Sequence, residues 1–144
     1  MAITTAVANT FKTEVLQGKH NFTATSGDHF KLAMYLTGAT LNKSTTSYTT
    51  DNETSGTAYS AGGKALPVAN QLVTLETDTA CIDFANVSWE TATITAKGAV
   101  IYNLSNSNSA VCVLNFGGNK TATAGTFTIQ FPAVTDTQAI LRIA

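Results

Sequence analysis

The alternation of apolar residues with threonine across residues 88–131 constrains the fold of this chain more than any other feature. Ala92, Ile94 and Ala96 alternate with threonines, and a period of two places the two sets of side chains on opposite faces of a β-strand. The pattern predicts three successive strands, joined first by a polar loop rich in Ser and Asn and then by a turn at residues 117–120. A chain organised around this stretch must fold around a β-sheet.

Residues 5–16 are the segment with helical spacing, because Val7, Phe11 and Val15 recur at intervals of four. The Thr and Asn residues between them are weak helix formers, which leaves an extended arm as the alternative. We therefore predict that residues 1–18 form a short N-terminal helix or an arm.

The rest of the chain consists of short strand patterns separated by turn signals, which is typical of all-β folds. We therefore predict an all-β single domain, a β-sandwich or jelly-roll-like fold of about eight strands, over residues 19–144. Within it, residues 38–63 are rich in Thr, Ser, Asn and Gly, lack a regular period, and are expected to form one long loop. Outside residues 88–131, the predicted strands are 20–25, 30–37, 71–76, 80–84 and 138–143.

The composition argues against nucleic-acid and membrane partners. Charged residues make up 12% of the chain, about half the roughly 25% of an average soluble domain, and the net charge is −1. A surface this neutral generates no positive electrostatic potential that would attract nucleic acid. No run of apolar residues reaches the length of roughly 18 residues that a membrane-spanning helix needs. The first residues also lack the basic start and apolar core of a signal peptide, which favours folding in a cytoplasm.

Residues suited to catalysis or metal binding are few. His20 and His29 are the histidines of the chain, and Asp28 and His29 cannot pair on a strand because adjacent side chains point to opposite faces. We interpret both histidines as exposed turn residues. Cys81 and Cys112 lack the spacing of a zinc site and lie inside apolar strand patterns, which predicts buried, reduced thiols. We therefore expect no enzymatic activity, no metal and no cofactor.

Two features are compatible with a binding module. The loop at residues 38–63 could present a surface to a carbohydrate or a receptor, because long loops in compact domains often carry function. Trp89, the single tryptophan, is interpreted as a core or sheet-edge anchor, with sugar stacking as the rival interpretation.

Several motifs resemble a family of small structural proteins of tailed bacteriophages. The likeness covers roughly residues 56–132, about half the chain, whereas the first 25 residues and residues 71–80 depart from the family pattern. The motifs are T-A-Y-S-A-G-G-K-A-L at 57–66, the segment 83–89, A-T-I-T-A-K-G-A-V-I-Y-N at 92–103, and V-L-N-F-G-G-N-K-T-A-T-A-G-T-F-T-I-Q-F at 113–131.

The resemblance implies a virion component that is assembled in the host cytoplasm. The leading hypothesis is a capsid decoration (cement) protein that oligomerises on the head surface and stabilises the shell. Its partners would be the major capsid protein and copies of itself, as a homotrimer or a homodimer. The alternatives are a tail or head-to-tail connector component, or a carbohydrate- or receptor-binding β-sandwich module. The predicted interface consists of apolar residues of the N-terminal segment, Ile3, Val7, Phe11 and Val15.

Overall fold

A computed structural model describes residues 2–144, which form eight β-strands and one α-helix. A short 3-10 helix, Val68–Asn70, connects two of the strands. The all-β single-domain fold of about eight strands is therefore confirmed. In chain order the elements are β1 Ala6–Val7, α1 Asn9–Leu16, β2 Phe30–Tyr35, β3 Lys64–Leu66, β4 Leu72–Glu76, β5 Thr79–Asp83, β6 Val87–Asn103, β7 Ser109–Ile129 and β8 Leu141–Ile143.

The strands form two antiparallel sheets that share one hydrophobic core. The large sheet has the order β1-β7-β6-β2-β3 and the small sheet the order β4-β5-β8. Phe30 of β2 and Phe84, which directly follows β5, lie with their ring centroids 5.6 Å apart. Both phenylalanines belong to the same buried cluster as Val100 of β6 and Leu141 of β8. The arrangement is that of a β-sandwich.

Residues 88–131 contain two long strands rather than the three that the sequence predicts. Ala96 of β6 pairs with Lys120 of β7, and Gly98 of β6 pairs with Asn115 of β7. Lys97 is therefore the single residue of β6 that stands opposite residues 116–119 of β7. The predicted turn at residues 117–120 is therefore wrong, and residues 116–119 form a large β-bulge inside β7. Gly117 at φ +85° supplies the left-handed backbone that the bulge requires.

The N-terminal helix ends at Leu16 as predicted but begins only at Asn9. Residues 6 and 7 are extended instead, because β1 pairs with Val113 and Cys112 at the edge of the large sheet. Ahead of β1, Ile3 forms a parallel bridge with Leu41 and is 4% exposed. The segment before the helix therefore lies against the sandwich, because its backbone groups find partners there.

The predicted strand at residues 20–25 is wrong. The Asp28 backbone N–H donates to the Asn21 carbonyl at 2.8 Å, and Gly27 donates in the same way to Thr23. These local turn bonds occupy backbone groups that a sheet ladder would need. Phe22 still packs into the core, stacked on Phe30 at a centroid distance of 4.6 Å.

The other predicted strands are confirmed with shifted ends. The strand predicted at residues 30–37 ends at Tyr35, because the Leu36 N–H donates to the Asn52 carbonyl of the long loop. The strand predicted at residues 138–143 begins only at Leu141. The segment 38–63 contains isolated bridges but no regular strand or helix, in agreement with the predicted loop.

Candidate functional site

The small sheet carries one face made only of apolar side chains. β5 pairs with β4 on one side and with β8 on the other, so that Val73 aligns with Ile82 and Leu141, and Leu75 aligns with Ala80 and Ile143. Because side chains alternate along a strand, these aligned residues share one face of the sheet. Its members are Val73, Leu75, Ala80, Ile82, Leu141 and Ile143.

An apolar groove of about 470 Å³ separates this face from the N-terminal helix. Phe11, Val15 and Leu16 of α1 line one wall, and Phe22 contributes from the turn that follows the helix. Phe11 is 5% exposed and closes the groove against the core. This volume falls within the range of about 300–1,000 Å³ that is typical of ligand and peptide sites.

The rim of the groove is strongly exposed to solvent. Leu16 is 89% exposed, Ile143 62% and Val73 56%, and Leu75, which lies on the same apolar face outside the groove lining, is 68% exposed. Within residues 2–144 only seven large hydrophobic side chains are exposed, and these four are among them. Single exposed apolar residues are ordinary, but a contiguous apolar patch marks an interaction surface. The groove and its rim are therefore the candidate functional site.

The charge at the groove is positive. Lys12 of α1 and Arg142 of β8 line it, and no carboxylate does. The Arg142 guanidinium donates to the Asp136 backbone carbonyl at 3.0 Å, which holds it beside the groove. The site is therefore suited to an apolar partner that carries an acidic group at its edge.

The structure brings together three of the four residues that the sequence predicts as an interface. Val7, Phe11 and Val15 line the groove, whereas Ile3 lies elsewhere, packed on Gly98 of β6. Sequence reasoning missed the contribution of the small sheet. The available signal was the L-V-T-L run of β4, which is apolar on both faces and so exceeds what one buried face needs.

A second cluster joins the four tyrosines of the chain to the long loop, two of them through the Glu53 carboxylate and two through backbone carbonyls. Glu53, in the long loop, accepts hydrogen bonds from the Tyr48 hydroxyl at 2.7 Å and the Tyr59 hydroxyl at 2.8 Å. The Tyr102 hydroxyl donates to the Gly62 carbonyl at 2.6 Å, and the Tyr35 hydroxyl to the Thr49 carbonyl at 2.7 Å. These bonds hold residues 48–62 on the large sheet, so the loop is a fixed part of the fold.

The tyrosines of this cluster resist ionisation. Burial, together with the nearby Glu53 carboxylate, raises the pKa of Tyr48 to about 12 and that of Tyr102 to about 12. The pKa values of Tyr35 and Tyr59 are raised as well, mainly by burial. A buried, neutral tyrosine donates a hydrogen bond and is a poor base, so the cluster serves to fasten the loop.

His20 is buried, and its interpretation as an exposed turn residue is wrong; His29 is exposed as predicted. His20 Nε2 lies 2.7 Å from Glu14 Oε2 of α1, and the Asn103 amide nitrogen lies 3.0 Å from His20 Nδ1. Because an amide nitrogen only donates, Nδ1 accepts and Nε2 carries the proton facing Glu14. The contacts fasten α1 to the end of β6.

This network does not have the geometry of nucleophilic catalysis. The nearby hydroxyl, that of Ser109, donates to Glu14 Oε1 at 3.3 Å. A nucleophile would have to face the histidine base itself. Asn103 is fully buried, and its amide nitrogen also donates to Asp28 Oδ2 at 2.8 Å. Asp28 therefore lies at the end of the network opposite to Glu14.

The cysteines and the tryptophan lie in the interior. Cys81 and Cys112 are buried free thiols, as predicted, and burial raises the pKa of Cys112 to about 12. Trp89 is 3% exposed and packs between Tyr59 and Phe127, at centroid distances of 6.0 and 6.3 Å. The prediction of a core anchor is confirmed, and this indole offers no stacking platform for a sugar.

In the described part of the chain, residues 2–144, His, Cys, Asp and Glu side chains form no group of three that could hold a metal ion. None of the helices described there combines the length and the apolar composition needed to cross a bilayer. In comparisons with known proteins, this chain matches no family model, no curated protein and no solved structure.

Proposed function

We propose that this chain is a structural protein that works by docking on other proteins, and that it serves as a capsid decoration (cement) protein on a bacteriophage head. The exposed apolar groove between α1 and the small sheet is the main observation in support of a docking role. The sequence motifs that resemble phage structural proteins support the assignment to a virion. The major capsid protein is the proposed partner at the groove.

Docking at the groove would be driven by apolar burial. Each Å² of apolar surface removed from water contributes about 25 cal/mol, and the side chains at the rim are more than half exposed in the free chain. Lys12 and Arg142 would orient an acidic group of the partner at the edge of this contact. Repetition of such a contact over a capsid lattice would sum modest energies into a stable shell.

The rigidity of the groove supports this role. The bonds of His20 with Glu14 and Asn103 fix α1 on the large sheet, so one wall of the groove is held in place. A preformed surface loses little conformational entropy on binding, which favours affinity.

The composition of the purified virion tests the proposal. A decoration protein is expected in numbers comparable to the major capsid protein, with cryo-EM density on the outer face of the head. A tail or connector component, the alternative within the virion, would be present in a few copies per particle. Density confined to the tail, or absence of the chain from particles, would contradict the decoration role.

A point substitution tests the groove itself. Leu16→Asp places a charge on the most exposed apolar side chain of the rim, and Leu104→Asp makes the same change at a residue that is 51% exposed in the β6–β7 loop. The Leu16 variant is expected to lose particle binding while the Leu104 variant retains it. Equal binding by both variants would remove the groove as the docking site. Deleting the N-terminal segment is a poorer probe, because it would also remove buried Ile3 and Phe11.

A further inference from the structure

The outer edge of β4 has no hydrogen-bonding partner among residues 2–144. β4 is the end strand of the small sheet, paired on its inner side with β5 from Leu72–Asp83 to Glu76–Thr79. None of the backbone hydrogen bonds outside the regular elements involves residues 72–76. An edge of this kind offers a row of free N–H and C=O groups to another strand.

β4 has few of the features that prevent an edge strand from pairing with another chain, and Glu76 at its end is its single charged residue. Edges are commonly shielded by lysine, proline, a bulge or very short length. β4 has five residues, L-V-T-L-E, which pair with β5 without a break in register. Its apolar side chains are well exposed: Leu72 is 46% exposed, Val73 56% and Leu75 68%.

The other three sheet edges are protected. β1 is protected by its length of only two residues. β8 has three residues with Arg142 at its centre. β3 also has three residues, beginning with Lys64, and Pro67 directly follows it. β7 extends well beyond β1, so residues 116–129 of β7 have no strand on that side, but this stretch carries Lys120, the bulge at residues 116–119 and further register shifts against β6. Of the four end strands in the described chain, β4 is the one that combines five residues in unbroken register with an apolar sequence.

We propose that β4 is a self-association strand, which pairs antiparallel with β4 of a second copy of this chain about a two-fold axis at Thr74. The product would be a continuous six-stranded sheet with the order β8-β5-β4-β4-β5-β8. The proposal deepens the proposed function, since a decoration protein is expected to oligomerise, but it stands on the geometry of β4 alone.

The sequence of β4 is complementary to itself in this register. Antiparallel pairing centred on Thr74 places Val73 of each copy opposite Leu75 of the other, which forms two apolar cross-strand pairs on the groove face. Glu76 lies opposite Leu72, so the carboxylates of the two copies do not meet. An unrelated strand would need to match this pattern independently, whereas a second copy matches it by symmetry.

The oligomeric state of the full chain in solution is the first test. Sedimentation equilibrium up to about 1 mM protein is expected to show a reversible monomer–dimer equilibrium. Leu75→Lys should raise the dimer dissociation constant by about tenfold or more, because a charge on the edge opposes pairing. Leu104→Lys, the matched change at a distant exposed leucine, should leave the constant unchanged. Thermal melts followed by circular dichroism confirm that both variants are folded.

Cross-linking tests the register. Under mild oxidation, a mixture of Val73→Cys and Leu75→Cys chains is expected to give more covalent dimer than either variant alone, because only the mixture places the two thiols directly opposite each other. The native Cys81 and Cys112 are buried and should not contribute. A Leu104→Cys chain supplies the background level of random cross-linking.

A chain that stays monomeric up to about 1 mM, or a dimer that Leu75→Lys leaves intact, would overturn the proposal. A native chain that does not self-associate would overturn it even where Leu75→Lys loses particle binding, because Leu75 lies on the groove face and that loss would report docking on a partner. Its failure is distinguishable from failure of the proposed function, because particle binding is tested through Leu16 and self-association through Leu75.

Discussion

Ile3 packs directly on the backbone of Gly98. A Cβ added to Gly98 would lie 2.7 Å from Cγ2 and 3.0 Å from Cδ1 of Ile3, and 2.6 Å from the Leu114 carbonyl oxygen. Gly98 therefore admits the N-terminal segment to the face of β6 because it has no side chain. This contact joins residues that are far apart in the sequence and ties the start of the chain to the centre of the large sheet.

Gly98→Ala is expected to lower the free energy of unfolding by about 1–3 kcal/mol, because the new methyl group overpacks against Ile3 and the backbone of β7. Urea denaturation measures the change. Gly118→Ala is the matched control, because a Cβ there meets nothing within 4 Å. Equal stability of the two variants would contradict the packing of Ile3 on β6.

Glu53→Gln is expected to destabilise the fold by about 1–3 kcal/mol, because the amide keeps only one acceptor oxygen. If that oxygen accepts from Tyr59 and Gly62, the NH2 group faces the Tyr48 hydroxyl, which loses its acceptor. Denaturant unfolding monitored by tyrosine fluorescence provides the measurement. Glu90→Gln, at an exposed site on β6, should change stability by less than about 0.5 kcal/mol. A neutral result at Glu53 would show that the loop is held by its apolar contacts instead.

The tyrosine cluster predicts a loss of stability at alkaline pH. Its members have an ordinary pKa of 10.0, and in the folded chain the pKa values of Tyr48 and Tyr102 are about 12. Because the pKa of these tyrosines is higher in the folded chain than in the unfolded chain, they contribute their full free energy of stabilisation below pH 10. This contribution is lost as the pH rises toward 12. Tyrosinate absorbance should therefore rise together with the loss of circular dichroism signal. Ionisation near pH 10 in a chain that remains folded would contradict the burial of these hydroxyls.

Asn103→Ala is expected to cost about 1–3 kcal/mol, because it removes the fully buried amide that faces His20 and Asp28. The measurement is the midpoint of urea unfolding. Asn106→Ala, which removes a single longer contact of 3.3 Å to Glu14, should cost clearly less. If the two substitutions are equivalent, the network does not fasten α1 to β6.

Thr77→Gly is expected to stabilise the chain by about 0.5–1 kcal/mol. Thr77 joins β4 to β5 with φ 56°, a left-handed backbone that costs a β-branched residue about 1–2 kcal/mol. Differential scanning calorimetry should show a higher melting temperature. Thr128→Gly, the same change inside β7, should lower it, because glycine weakens a strand interior. A fall in both variants would rule out strain at Thr77.

The local pattern of the sequence was enough to predict most of the sheet. Alternating Ala, Ile and Thr in β6 and the apolar run of β2 are patterns of neighbouring residues, and in these two strands the local pattern agrees with the tertiary structure. The burial of Cys81, Cys112 and Trp89 followed from the same pattern. Three residues of the predicted interface, Val7, Phe11 and Val15, lie in the lining of the candidate groove, and their role as an interface stays a prediction.

Only the tertiary structure decided the features that depend on distant partners. Ala6 and Val7 are a strand because β7 supplies partners more than 100 positions away. Residues 116–119 form a bulge because β6 continues past them on the other side. His20 is buried because Asn103, 83 positions away at the end of β6, packs against it and bonds to it from the side opposite Glu14. The groove exists because the small sheet turns its apolar face toward α1. Periodicity specifies which face of an element is apolar, but packing specifies what that face meets.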